Sequence, residues 1–411
     1  MGSWSDEWWC IVRADYLIVG GGLAGGYAVE AIRSIDKVGA IVLVSDENHR
    51  PYDRVPLSKT YLRGVMKRER LYIRREVHYL QNNVDMLLGN RAVEINVSEK
   101  TVTLADGRKI NYGKLLLATG GRVRKLAVEG GDLDGIYYLR TIEDSERIKA
   151  ALASAGKAVV VGGGFIGCEV ASALYERGLE VTIVEVSNDL LSRALDQETA
   201  SWITSRFREM GVKVRTGISV TRFLGSYGKV SAVVTSGGEV LDTDVVVVGV
   251  GIAPNTELAE KAGLKVENGV VVNEYLETSA ENVYAAGDVA RFYSPIYGRY
   301  IRVEHYDVAV RHGEIAGSNM AGQRKPYSLP PYFFSIMPGL HIKVYGVTDI
   351  YDSIVTVDKD ASGFAKFYLR NGIVDGVLLV NRNVDADGVR QLITSRRHAQ
   401  VSELAKYIVK P

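Results

Sequence analysis

Two glycine clusters in this chain have a spacing that suits phosphate. Gly20-x-Gly22-x-x-Gly25 follows the apolar run DYLIVG, and Gly162-x-Gly164-x-x-Gly167 follows AVVV. In such a turn the first glycine permits the tight bend. The second lets backbone N–H groups approach a pyrophosphate, and the third allows close helix–strand packing. A helix opening at the turn adds partial positive charge for the anion. Each cluster is followed, about 20 residues on, by an acid that can accept from ribose hydroxyls. Asp46, with Glu47 beside it, ends IVLVSD, and Glu185 ends EVTIVE. An acid at this place repels a 2′-phosphate. Val186, Ser187, Asn188 and Asp189 bring no cation to pair with one, and Arg193 stands a few residues further on. The second site therefore favours NADH over NADPH.

The elements that must hold these turns repeat. Strand, glycine turn, helix, strand and acid occur twice. Between and after them lie short alternating runs separated by turns, as in residues 84–121 and 212–251. KLLLAT reads as a return strand, and VYAAGDVARF (283–292) as a strand, a turn and then a helix. Residues 303–321 read as helical. After Pro326, Pro330 and Pro331 the composition turns aromatic, short strands follow, and 387–409 carries a helical pattern. The expected fold is α/β, with two Rossmann-like dinucleotide-binding domains and a C-terminal α+β domain. The first domain takes residues 10–120 and 245–325, the second 121–244 and the third 326–411. One dinucleotide site then suits a flavin and the other a hydride donor.

Composition narrows the partners. The 411 residues include 50 Lys plus Arg and 49 Asp plus Glu, a net charge of +1, without the basic excess of a nucleic-acid binder. No apolar run reaches the roughly 18 residues of a membrane span. MGSWSDEWWC lacks the pattern of a secretory signal, so a cytoplasmic location is expected. Trp4, Trp8 and Trp9 form a cluster suited to packing on the body of the protein or on a partner. The two cysteines, Cys10 and Cys168, make neither a disulfide framework nor a metal site.

Further motifs carry a family resemblance from about residue 14 to the C-terminus. RPYDRVPLSK (50–59) is similar to an R-P-Y-x-R-P-P-L-S-K signature, with Val55 in place of one proline. LLLATGG (115–121), GVGIAPN (249–255), VYAAGDVA (283–290) and RVEHYDVAVRHGEIAGSNMAG (302–322) complete the pattern. The chain resembles the two-dinucleotide flavoprotein reductases, in the group that holds ferredoxin reductases, rubredoxin reductases and apoptosis-inducing factor.

The resemblance implies FAD on the first unit and NADH on the second. It makes Lys59 the lysine beside flavin N5 and Glu169, in the first turn of the second helix, its partner; these two are the catalytic expectation. Alone, Lys59 would read as a solvated lysine and Glu169 as an acid favoured by the helix dipole. Asp288 corresponds to an aspartate on the ribityl chain, or caps the following helix. Arg54 suits a flavin phosphate or a carboxylate. Glu304 and His305 fall near the nicotinamide and flavin, and Val93, Ala118, Thr119, Gly120, Ile166 and Gly251 complete the expected cofactor contacts. Phe334 stands where relatives carry Trp in an aromatic-Trp-Ser-Asp run, and Ile336 where they carry Asp. No cysteine lies in 48–66, where disulfide reductases keep their reactive thiols, and Cys168 reads as a small packing residue.

The activity implied is an FAD-dependent NADH oxidoreductase that passes electrons to a ferredoxin- or rubredoxin-like carrier. The alternatives are a slowly turning redox sensor resembling apoptosis-inducing factor, and an NADH oxidase or quinone-type reductase. Arg63, Lys67, Arg68, Arg70, Arg74 and Arg75 form either a docking face for an acidic carrier or a solvated helix face. The tyrosine-rich third domain is compatible with a homodimer.

Overall fold

A computed structural model describes residues 12–409. The tryptophan cluster and Cys10 lie outside the described residues. The chain forms two compact units. One takes the chain through Asp53, then Tyr72–Gly121 and Pro254–Pro331; the other takes Arg54–Leu71, Arg122–Ala253 and Tyr332–Pro411. Residues 54–71, which carry Lys59, thus cluster with 122–253 and with the C-terminal strands.

The first unit is built on a seven-stranded sheet. Val12–Val19 lies parallel to Ile41–Val44 on one side and to Lys109–Leu117 on the other. Lys109–Leu117 divides its partners: its start pairs antiparallel with Thr101–Leu104, and its end pairs parallel with Val283–Ala285. The buried strands are continuous apolar runs because both faces are covered, as parallel sheets require. The helix Leu23–Ile35 packs along the helix Tyr306–Met320. Two glycines make the approach close. A Cβ on Gly313 would overlap the Ala24 carbonyl, and one on Gly317 the Ala28 carbonyl. The i, i+4 spacing of each pair puts both contacts on one stripe.

The second unit repeats the plan. Lys157–Val161 lies between Glu180–Glu185 and Val245–Val248, with Lys213–Thr216 and Ile136–Tyr138 at the edges, all parallel. The same unit holds a five-stranded antiparallel sheet that starts with the hairpin Tyr332–Met337 and Leu340–Gly346. A buried polar knot ties this sheet to the helix Gln197–Glu209. Lys366, 1% exposed, donates to Asp196 and Glu198, each at 2.7 Å, while Tyr368 Oη donates to the other Asp196 oxygen at 2.5 Å. Burial alone would raise the Asp196 carboxyl, but the hydrogen bonds from Lys366, Tyr368 and Thr199 outweigh it and hold the carboxyl below its ordinary value.

Three local expectations change. After Val283–Ala285 the chain makes one 3-10 turn, Gly287–Val289, and then a strand, Ala290–Ser294, instead of a helix. The C-terminal helix ends at Thr394, and a 3-10 segment, Val401–Tyr407, comes after it. Arg396 at φ 51° sits between them and breaks the helical path. The basic stretch 63–80 is not one helical face. It comprises a 3-10 turn, Arg68–Arg70, and a short helix, Glu76–Gln81. Arg63 pairs with Glu176, Arg68 with Glu146 and Arg74 with Glu30. Among the described residues no helix is long and apolar enough to cross a membrane.

Lys366→Met removes the cation from a buried pair and should cost about 3–5 kcal/mol. Urea unfolding should show a lower midpoint with an unchanged slope. The depressed Asp196 carboxyl contributes stability above about pH 4. That share should fade as the pH falls through its lowered value, and be smaller in the variant.

Candidate active site

The two phosphate turns are the same object built twice. Gly20 N–H donates to Val44 O and Gly162 N–H to Val184 O, both at 2.8 Å, which joins each turn to the neighbouring strand. Gly20 has φ +124° and Gly162 φ +103°, backbone that other residues rarely adopt. A Cβ on Gly20 would overlap the Ala118 carbonyl, and one on Gly162 the Gly249 carbonyl. A Cβ on Gly25 or Gly167 would overlap the carbonyl of the first glycine in its own turn. The middle glycines differ: Gly22 and Gly164 would meet no protein atom within 4 Å. Gly22 and Gly164 are also the helix N-caps, with no side-chain cap and no acid in the first turn of either helix. Both turns therefore offer open backbone and unsatisfied N–H groups on the side where a pyrophosphate is expected, and the residues present fit a dinucleotide at each.

The acids are placed differently. Glu185, 8% exposed, is held by the turn itself. Its Oε2 accepts from Gly163 N–H at 2.5 Å and its Oε1 from Ser187 N–H at 2.7 Å. In the first turn, Val44 occupies the register of Val184, so Ser45 and not Asp46 corresponds to Glu185. Ser45 is buried and Asp46 exposed. A Cβ on Gly21 would press on the Ser45 side chain, as one on Gly163 would on Glu185. Glu47, next along, accepts from Tyr52 Oη at 2.5 Å. Sequence spacing alone could not separate Asp46 from its neighbours. The strand register does.

Lys59 and Glu169 come together. Lys59 Nζ lies 2.6 Å from Glu169 Oε1, with the side chains 14% and 4% exposed. The helix Phe165–Glu176 begins at Phe165, so Glu169 lies in its second turn and not its first. Its place is decided by burial and by Lys59, not by the helix dipole. Ser58 Oγ donates to Glu169 Oε2 at 2.5 Å and Ser335 Oγ to Oε1 at 2.6 Å. Both serines stand inside motifs, Ser58 in RPYDRVPLSK and Ser335 at the serine of the aromatic-Trp-Ser-Asp run, but neither motif shows that they meet one carboxylate, because the contact joins three separate segments. Arg54 immediately precedes the 3-10 turn Val55–Ser58 without a side-chain cap bond, and it donates to the Arg140 carbonyl at 3.0 Å. Ile166, 46% exposed, lies in the first turn of the same helix as Glu169, and Gly251 at φ +95° comes after the strand Val245–Val248. Phe334 lies on the face of its strand opposite Ser335, near Tyr332. Phe333 is the aromatic that packs on Phe165, at 4.8 Å between rings.

In the first unit Ala118, Thr119 and Gly120 lie against the chain after Pro254. Thr119 Oγ1 donates to Asn255 O, and Asn255 Nδ2 returns a bond to Thr119 O, both at 2.8 Å. Asp288 lies in the 3-10 turn Gly287–Val289, so it caps no α-helix. Burial holds the His305 imidazole down at about 4, against the opposing charge of Asp288, so the ring is neutral at pH 7. Glu304 pairs with Arg302 at 2.6 Å. Val93, 40% exposed, is on an edge strand of the sheet, Ala92–Asn96. Cys168 is fully buried, and burial pushes its thiol well up, away from the reactive thiolate.

Gly22→Ala and Gly164→Ala should fold as the parent does, because the added methyl meets open space. Each should weaken its own dinucleotide by at least about tenfold, the scale of one lost hydrogen bond to a charged group. Gly20→Ala should instead destabilise the fold. Thermal melts beside nucleotide titrations separate the two effects.

The pyridine nucleotide-disulphide oxidoreductase family model matches residues 14–313. Putidaredoxin reductase of Pseudomonas putida is 37% identical over 388 residues, covering 93% of this chain and 92% of that protein. A rubredoxin-NAD(+) reductase of Ectopseudomonas oleovorans is 35% identical over 339 residues, covering 82% and 88%. The crystal structure of a covalent putidaredoxin reductase–putidaredoxin complex superposes with a TM-score of 0.91 at 36% identity, covering 96% of each chain. The chain belongs to the pyridine nucleotide-disulphide oxidoreductase family, in its group of FAD-dependent ferredoxin and rubredoxin reductases.

Proposed function

We propose that this protein oxidises NADH and passes the electrons, one at a time, to a small ferredoxin- or rubredoxin-like carrier. The observation that carries the reading is the duplicated turn with an open middle glycine, Gly22 in one copy and Gly164 in the other. A single chain with two such turns suits two dinucleotides at once. When bound, FAD supplies the acceptor for a hydride from NADH and the donor of two single electrons.

The chain's residues do the rest. The Gly20 turn holds one pyrophosphate and the Gly162 turn the other. Glu185 accepts from the adenosine ribose of NADH; with both oxygens already held by backbone N–H groups, it is preorganised for that task. It stands where NADPH would carry a phosphate, and Val186 to Asp189 supply no cation, so NADH is favoured. Lys59, held by Glu169, supplies a fixed positive charge where electron density arrives. His305 is neutral at pH 7, which suits a step governed by alignment and electronics rather than by a charged acid. A thiol relay is not part of this chemistry. Residues 48–66 contain no cysteine, and the Cys168 thiol is inaccessible. The carrier is proposed from the relatives, whose names specify putidaredoxin and rubredoxin.

Anaerobic NADH titration of the FAD-loaded protein should bleach the flavin band, and an iron–sulfur ferredoxin or a rubredoxin should restore it rapidly. Recovery no faster than with oxygen alone would overturn the carrier reading and favour a redox sensor. Glu185→Ala should raise the KM for NADH by about tenfold or more, with a smaller change for NADPH, so that discrimination narrows.

A further inference from the structure

We propose that Ser335 and Ser58 are positioning residues: they lock the Glu169 carboxylate and, through it, the place of the Lys59 ammonium. The proposal rests on the reading that Lys59 stands beside the redox-active ring of bound FAD.

The geometry leaves the carboxylate little freedom. Oε1 takes Lys59 Nζ and Ser335 Oγ, each at 2.6 Å, and Oε2 takes Ser58 Oγ at 2.5 Å. Glu169, Ser58 and Ser335 are 5%, 2% and 1% exposed, so bulk water has little access to take over a lost hydroxyl. A carboxylate bound only by a lysine can swing about its side-chain torsions. One bound from three directions cannot, and a flexible four-carbon cation then inherits a fixed anchor.

The elements are arranged to deliver these hydroxyls. Ser58 and Lys59 are neighbours at the end of the 3-10 turn Val55–Ser58, and both reach one carboxylate. Ser335 arrives on the strand Tyr332–Met337, whose register is set by its hairpin partner, with Ser335 opposite Ile342. Phe333 and Ser335, two apart, share one face of the strand. Phe165 and Glu169, four apart, share one face of the helix. Phe333 meets Phe165, and Ser335 meets Glu169. The aromatic contact therefore holds the strand in place independently of the serine. A register slip of one residue would put Phe334 or Ile336 against the carboxylate and leave it without a donor on that side.

The consequence is electrostatic. A fixed ammonium favours charge arriving at one point, whereas a wandering pair spreads that benefit. Loosening Glu169 should alter the reduced state and the transfer step more than the binding of NADH.

The test uses the full-length, FAD-loaded protein and the variants Ser335→Ala, Ser58→Ala, Ser335→Thr and Lys59→Met. Spectroelectrochemistry gives the flavin midpoint potential. Rapid mixing with NADH gives the limiting rate of flavin reduction and the apparent Kd separately. Ser335→Ala should lower the limiting rate by about tenfold, the scale of one hydrogen bond to a charged group. It should shift the potential and leave the Kd within about twofold. Ser58→Ala should act in the same direction, and Ser335→Thr, which keeps the hydroxyl, should restore both readouts. Lys59→Met separates the positioning role from the functional reading beneath it. If it leaves potential and rate unchanged, Lys59 is not beside the ring and the premise of the positioning role falls, while the two dinucleotide turns still stand. If it changes both while Ser335→Ala and Ser58→Ala match the parent, the positioning role is overturned. A Ser335→Ala protein that melts lower but keeps its potential and limiting rate also overturns it.

Discussion

Each phosphate turn is pressed from behind by one peptide carbonyl. Ala118 O sits under Gly20, and Gly249 O sits under Gly162, so close that no side chain fits between. Most of the architecture depends on this constraint. The carbonyl comes from the end of the central parallel neighbour, so that strand must reach the same height in the sheet as the strand before the turn. The next helix must then start where the third glycine lets it close on the first. Because these two glycines are filled from behind, the middle glycine and the helix N–H groups are the parts left open. A backbone that is tight on one face and bare on the other is a general solution for holding an anion without a charged side chain.

The buried ion pair obeys a different logic. Lys59 and Glu169 together would be costly to desolvate, and such a pair persists only when its remaining hydrogen-bonding capacity is met. Here Ser58 and Ser335 meet it. The pair thus depends on three distant segments, the 3-10 turn Val55–Ser58, the helix Phe165–Glu176 and the strand Tyr332–Met337. The Lys366 knot, in the same unit, ties the C-terminal sheet to another helix and so helps keep that strand in place. Stability and chemistry share parts in this unit.

The absence of a cysteine in 48–66 sets this chain apart from the disulfide chemistry in its family's name. Members that handle disulfides need an accessible thiol of low pKa. The one described cysteine, Cys168, is instead a buried filler beside the Gly163 carbonyl, at 3.4 Å. The relatives' names specify putidaredoxin and rubredoxin and no disulfide.

The glycine turns, the two sheets they imply and the pairing of Lys59 with Glu169 were all legible from residue types and motif likeness. Such signals are local: a phosphate turn needs its glycines at fixed short spacings, and a buried parallel strand needs a continuous apolar run. Less legible was anything that depends on register or on contact between distant segments. Asp46 and Ser45 are adjacent in sequence, and only strand pairing shows which one matches Glu185. The helix expected after Asp288 is a strand, because a glycine at positive φ turns the chain and the sheet claims the residues beyond it. Ser58 and Ser335 each lie in a motif, but that they share one carboxylate is visible only once the tertiary structure brings them together. The sequence by itself determined which chemistry is present, because that rests on side-chain identity and short spacing. The tertiary structure alone decided which groups act together, because a hydrogen bond of 2.6 Å between residues 166 positions apart exists only once the chain has folded.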